Sequence, residues 1–264
     1  MKPIQLDRWL LCTALDRTRI FPVDLSHCCD EFGNGFGTDG NHFFVRALAA
    51  GEDYDTVRAY LEEYYETHHI RSMNDTLGHD ISDPAGAQYF CPWEADRIRP
   101  LSKFAGSHKI GPTPDDDLDR IVRRLLGVVA SIRRRGFRQY AMLDGFPRIY
   151  TIVDRDNHRR HVIRDGQHRI AAISHLGHES VLACYEAHYW TPSWAYRALS
   201  RVTSPSRGAG ARPDSTTPRI VRADEIESWP HVREGRISAE EASVHFDKMF
   251  GDTAADTHTT STTS

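Results

Sequence analysis

The residues with the clearest chemical potential lie in one run, Val162-Ile163-Arg164-Asp165-Gly166-Gln167-His168-Arg169-Ile170-Ala171-Ala172-Ile173. The pattern reads as a strand that ends at a glycine and is followed at once by a helix. Glycine at that point permits a sharp turn and close backbone approach. The first amides of a helix have no partners within it and lie at the positive end of its dipole. Acids are favoured at that end and cations disfavoured. Here His168 and Arg169 fall in the first turn, and Arg164 stands just before the glycine. Such positive charge costs stability unless an anion occupies the spot, and a phosphate group is the expected anion. Arg164, Gly166, Gln167, His168 and Arg169 are therefore the candidate phosphate-binding residues.

Asp165 carries two readings. It is either the N-cap of the helix, accepting the amide hydrogens of Gln167 or His168, or a functional carboxylate. In the second case it holds Mg²⁺ or orients an imidazole or an attacking hydroxyl. Other chemistries find less support. No His-Glu-x-x-His or Cys-x-x-Cys is present, so a zinc site is not expected. His68-His69 point to different sides, and His168 and His175 lack the spacing of a ligand pair. Cys28-Cys29 read as buried fillers, and no Gly-x-Ser-x-Gly elbow appears.

The elements that must position the run are legible around it. Thr113-Pro114-Asp115-Asp116 reads as a helix start, with a capping threonine, proline in the first turn, and acids against the dipole. Leu118, Ile121, Val122, Leu125, Val129 and Ile132 form one apolar stripe, and Arg133-Arg134-Arg135 with Gly136 close the helix. Arg148 to Val153 and His161 to Arg164 read as a hairpin across the turn Asp154-Arg155-Asp156-Asn157. The helix after Gly166 runs to about Leu176, and Val181 to Tyr185 is a further strand.

Before residue 100, one helix stands out on the spacing of Tyr54, Val57, Leu61 and Tyr64. The stretch Glu31 to Gly40, with four glycines, is expected to be a flexible surface loop. Ser204 to Pro218 reads as a linker. Ser238-Ala239-Glu240-Glu241 reads as a capping box opening a helix with Ala242, Phe246, Met249 and Phe250 inward. The tail from Asp252 is expected to be disordered.

Composition sets the wider bounds. The chain has 264 residues, 39% hydrophobic and 27% charged, and a mean hydropathy of −0.54, which describes a water-soluble globular protein. No apolar window approaches a membrane span, and the start lacks the pattern of a secretory leader. With five cysteines and no pairing pattern, a reducing cytoplasm is the expected location. A net charge of −4 argues against a strongly basic nucleic-acid-binding surface. Only four basic residues are lysine, and the remaining arginines suit two-pronged contacts with phosphate or carboxylate.

The segment Asp165-Gly166-Gln167-His168-Arg169-Ile170-Ala171-Ala172, with Leu176-Gly177 closing the helix, resembles the nucleotide-phosphate motif of the ParB/sulfiredoxin superfamily. The resemblance covers about residues 110 to 186. Sulfiredoxins carry a cysteine before the His-Arg pair, where this chain has Gln167, so thiol chemistry is not implied. Partitioning members of the superfamily bind CTP and continue into a helix-turn-helix, which the residues after Tyr185 do not resemble. The Asp-Gly-x-His-Arg form is most similar to the superfamily's free-serine kinases.

That resemblance implies that Gly166, His168 and Arg169 hold nucleotide phosphates and that Asp165 lies near the transfer or the metal. It also implies an acidic base upstream. Glu94, in Cys91-Pro92-Trp93-Glu94, is the better candidate, since Asp115 to Asp117 are explained as helix-start acids. His108 and Lys109 fall where that fold places a nucleotide-contacting loop. Tyr185, Tyr189, Trp190 and Trp194 suit either a base-stacking surface or a core.

The expected fold is thus α/β (α+β), a ParB/sulfiredoxin-like core with a small mixed sheet and helix-rich N- and C-terminal extensions. The expected division is an N-terminal extension over 1–105, a nucleotide-binding core over 106–200, a linker over 201–218, a helical segment over 219–251 and a tail over 252–264. The expected function is a kinase moving the terminal phosphoryl of ATP (or ADP or CTP), with Mg²⁺, to a hydroxyl of a sugar, cyclitol or amino acid. The alternatives are a CTP- or ATP-binding switch, which would dimerise on nucleotide and bind DNA, and a nuclease. A possible homodimer and no membrane partner complete the expectation.

Overall fold

The computed structural model describes residues 20–67, 88–89, 91–94, 99–100, 113–137, 146–185 and 220–250. Its centre is the predicted hairpin. β5 (Arg148–Val153) and β6 (Arg159–Asp165) pair antiparallel, with Ile149 opposite Ile163 and Arg148 opposite Asp165. The loop between them is an Asx-type turn, in which the Asp154 carboxylate accepts the amides of Asp156 and His158. β6 begins two residues earlier than the sequence pattern implies, because Arg159 and Arg160 continue the ladder.

The remaining strands complete a six-stranded mixed sheet. β1 (Ile20–Asp24) pairs antiparallel with β7 (Ser180–Tyr185), and β2 (Cys28–Cys29) pairs parallel with β6. One edge of β5 is shared between two parallel neighbours. β7 takes Arg148 and Ile149, and β8 (Ile220–Arg222) takes Thr151 to Val153. Two short strands, β3 (Gln88–Tyr89) and β4 (Arg99–Pro100), pair only with each other among the described residues.

Both faces of the sheet are covered, which is why the hairpin strands read as nearly continuous apolar runs. Ile149, Ile163, Val181, Ala183 and Val23 face four helices: α1 (Phe43–Ala50), α2 (Tyr54–Thr67), α3 (Asp115–Arg135) and α4 (Gln167–His175). From α3 the predicted stripe Leu118, Val122, Leu125, Val129 and Ile132 is buried. Tyr150, Ile152, Val162 and Cys29 face the other way. They pack on Trp93, on Trp229, and on Phe246 and Met249 at the end of the chain's described part. There a short helix, α5 (Pro230–Arg233), precedes α6 (Ala239–Lys248), and the capping box of Ser238 and Glu241 is formed in both directions. The helices and mixed sheet make this an α/β protein. No helix among the described residues is long and apolar enough to cross a membrane.

The N-terminal part departs most from expectation. Besides the predicted α2, it contributes α1 and both edge strands of the main sheet. α1 lacks an ordinary start signal, because its cap is His42, whose ring nitrogen Nδ1 accepts the Phe44 amide at 3.2 Å. The glycine-rich stretch is not a flexible surface loop. Phe36 and Asp30 are buried, and Asp30 accepts the amides of Phe32 and Asn34. The Gly35 amide bonds Asn41, and Gly40 packs so closely on the Gly35 carbonyl that a side chain there would clash with backbone. The buried Arg160 guanidinium donates to the carbonyls of Gly33 and Met249, joining this loop to the end of α6. At α3, Pro114 rather than Thr113 occupies the cap position, where proline has no side-chain acceptor to offer. The stretches 138–145, 186–219 and 251–264 lie outside the described residues, as do His68 and His69.

The helices are also tied by charge. Glu52 accepts both terminal nitrogens of Arg133 at 2.5 and 2.6 Å, and pairs with His175 at 2.7 Å, so one carboxylate links the ends of α3 and α4. The Arg133 hydrogen bonds, then that of His175, bring the Glu52 carboxyl down from 4.5 to about 2. A depressed carboxyl stabilises the fold fully above its ordinary value and loses that effect as pH falls. Glu52→Gln should therefore lower Tm at pH 7. The gap from wild type should narrow below pH 4.5 and close near pH 2, as measured by thermal melts across that range. A gap independent of pH would show that the ion pairs are not its source.

Candidate functional site

The strand-to-helix turn is built as the sequence indicates. β6 ends at Asp165, Gly166 takes the left-handed conformation with φ +98°, and α4 begins at Gln167. The cap is the glycine itself, and the first turn of α4 holds no acid. Arg169 folds back over the turn, so that a Cβ on Gly166 would lie 3.3 Å from its Nη2 and 3.4 Å from the Pro147 Cα. Glycine is thus needed here for the backbone conformation, and a Cβ would also press on the guanidinium.

Asp165 is not the N-cap. It is the last residue of β6, and its Oδ2 accepts two hydrogen bonds from Arg148, from Nε at 3.2 Å and from Nη2 at 2.8 Å. Partial burial pushes its carboxyl up, but the Arg148 hydrogen bond and charge, with the nearby Arg169 charge, outweigh that and leave it below the usual value. The carboxylate is therefore ionised at neutral pH. Cys184, opposite Arg148 on β7, is close enough to feel Arg148, Arg169 and Asp165. Burial dominates and pushes its thiol up to about 11, so it is no thiolate nucleophile. The turn thus combines two guanidinium groups, one carboxylate and a helix start capped by glycine. That set suits a phosphate-bearing anion.

The other expected ligands are distributed differently. Ile149 pairs with Ile163 and Arg148 with Asp165, so Arg164 is the extra residue of a β-bulge with no position opposite it on β5. Arg164 goes to the Trp93 face, where Glu94 lies 2.9 and 3.1 Å from its Nη2 and Glu31 lies 3.5 Å from its Nη1. It does not join Arg169 at the turn. Glu94 is accordingly the buried partner of Arg164. The His168 ring packs on Phe44 of α1, with centroids 4.4 Å apart, so its position in the first turn does not aim it outward. Gln167 opens α4. Tyr185 packs on Phe21, at 4.9 Å between centroids. His108, Lys109, Tyr189, Trp190 and Trp194 lie outside the described residues.

Two residues of this region escape a reading of the sequence. Arg148 is seventeen positions before Asp165, yet the hairpin places the two opposite each other at its open end. The opposite charges flanking the two predicted strands were the available signal. Glu31 sits in the glycine-rich loop, and nothing local marks it as a partner of Arg164. For metals, the three-residue grouping among the described residues is Asp154, Asp156 and His158 in the hairpin loop, and it does not include Asp165. No family model matches the chain, and neither a curated protein nor a solved structure matches it.

Removing Arg148 tests the balance at the turn. With its hydrogen bond and charge gone, burial should dominate, and Arg148→Ala should raise the Asp165 carboxyl, read by carbon-detected NMR titration. An unmoved value would show that Arg148 does not control it. Gly166→Ala should cost about 1–2 kcal/mol for the left-handed backbone alone, measured by denaturant unfolding.

Proposed function

We propose that the Gly166 turn binds the phosphates of a nucleotide, and that the protein transfers the terminal phosphoryl of ATP to a hydroxyl of a small metabolite such as a sugar, cyclitol or amino acid. The observation that carries this reading is the convergence of Arg148 and Arg169 on a helix start whose cap is a left-handed glycine. Cations are disfavoured at such a helix end, and a phosphate there meets backbone amides and guanidinium groups together.

Phosphoryl transfer asks the protein mainly for positioning and charge neutralisation. Arg169 and Arg148 would offset the charge on the phosphates. Mg²⁺ is commonly held by one or two carboxylates together with phosphate oxygens and water. Asp165, ionised and at the turn, fits that role. When bound, the ion would neutralise charge on the transferring group. Glu94 remains the candidate for the base that takes the hydroxyl proton.

One observation favours the second reading, a nucleotide-binding switch without transfer. Both candidate carboxylates, Asp165 and Glu94, are engaged by arginines, and such engagement lowers their basicity.

The two readings separate on incubation with ATP labelled at the terminal phosphate and a panel of hydroxylated metabolites. Label in a metabolite supports the kinase. Label confined to ATP and free phosphate, with nucleotide-dependent dimerisation in light scattering, supports the switch. In either case Arg169→Ala should weaken ATP binding by about 10- to 100-fold while leaving the circular dichroism spectrum unchanged. Unaltered binding would remove the phosphate assignment.

A further inference from the structure

Glu31, Glu94 and Arg164 come from three separate segments and meet in the interior, with side chains 11%, 2% and 9% exposed. Arg164 donates Nη2 to Glu94 Oε2 at 3.1 Å, with Oε1 at 2.9 Å from the same nitrogen, and its Nη1 forms an ion pair with Glu31 at 3.5 Å. Its guanidinium carbon lies 5.8 Å from the centre of the Tyr150 ring, which limits how the group can tilt. The groups facing this cluster are Cys91 from the Glu94 turn and Tyr150 from β5, while His245 of α6 stacks on the neighbouring Trp93 ring. Buried ion pairs add little stability over apolar packing of the same volume. A three-membered cluster one residue from the Asp165–Gly166 turn therefore points to a role beyond holding the fold.

Resting on the phosphotransferase reading above, we propose that Glu31 is a positioning residue of that reaction, which acts through Arg164 to orient Glu94 and keep it able to accept a proton. The acceptor oxygen forms a bond to the γ-phosphorus of ATP, and the bond from that phosphorus to the β–γ bridging oxygen breaks. ADP leaves with the electron pair, and the hydroxyl proton passes to Glu94. A carboxylate paired one-to-one with arginine is a weak base. A second carboxylate on the same guanidinium acts in the opposite sense, and the two titrate as a coupled pair.

The test is a carboxyl-carbon NMR titration of the full chain labelled at glutamate, with the two signals assigned by their loss in Glu31→Gln and Glu94→Gln. In wild type each signal should follow a two-step curve. Glu31→Gln should lower the proton affinity of Glu94 by about tenfold, and Glu31→Asp, which keeps the charge, should restore most of it. Independent single-step curves in wild type, or an unmoved Glu94 midpoint in Glu31→Gln, overturn the proposal. Should Glu31→Gln not fold, the wild-type curve and Glu31→Asp decide.

The pH–rate profile of ATP hydrolysis, with water standing in for the acceptor, supplies the readout that a purely structural role would leave alone. Its acid limb should shift to lower pH in Glu31→Gln with KM for ATP unchanged, and an unmoved limb counts against positioning. Failure of wild type to bind ATP in the same samples would remove the phosphotransferase reading itself. ATP binding with uncoupled carboxylates would remove only the role of Glu31.

Discussion

The structure turns on the bulge at the end of β6. Ile163 and Asp165 pair with consecutive residues of β5, so Arg164 is the extra residue of a bulge, and two adjacent charges enter a sheet that is covered on both faces. Each then recruits a partner of the opposite sign, Arg148 for Asp165 and Glu94 with Glu31 for Arg164. Those partners come from the start of β5, from the turn around Trp93 and from the glycine-rich loop. The need to satisfy two adjacent charges in a buried sheet thereby fixes the positions of three distant segments.

The same need governs the loop from Asp30 to His42. A sequence rich in glycine suggests freedom, yet this one is occupied almost entirely in satisfying buried polar groups. Asp30 takes the amides of its own turn, Asn41 takes that of Gly35, and Arg160 reaches across to the Gly33 carbonyl. The glycines serve close approach, as at Gly40 against the Gly35 carbonyl. Loop composition and loop mobility are different properties, and the long-range arginine is what separates them here.

Local pattern made the centre of the molecule readable. The α3 stripe, the hairpin, the Gly166 turn and the Ser238 capping box all follow from spacing over a few residues. What could not be read depended on contacts distant in sequence. α1 starts on a histidine ring held between Phe36 and Phe43, a cap that no propensity marks. β1 and β2 are strands because β7 and β6 offer them edges. At the site, the glycine and Arg169 were legible as a pair. Reading Arg164 on the helix dipole alone misplaces it, because the bulge and its carboxylate partners Glu94 and Glu31 lie far apart in sequence. Of the two readings of Asp165, the cap fails because its true partner, Arg148, becomes a neighbour only once the hairpin closes.

The shared edge of β5 also bears on the order in which the chain assembles during synthesis. Thr151 to Val153 receive their neighbour from β8, near residue 220, and the apolar face of Tyr150, Ile152 and Val162 is covered by a segment ending at Phe246 and Met249. A ribosome exposes the hairpin long before it has made either. For that interval the nascent sheet presents an open strand edge beside an apolar face, the combination that invites misassociation between chains. The Arg160 contact to the Met249 carbonyl must wait for α6, so closure of this apolar face is signalled by the arrival of that helix.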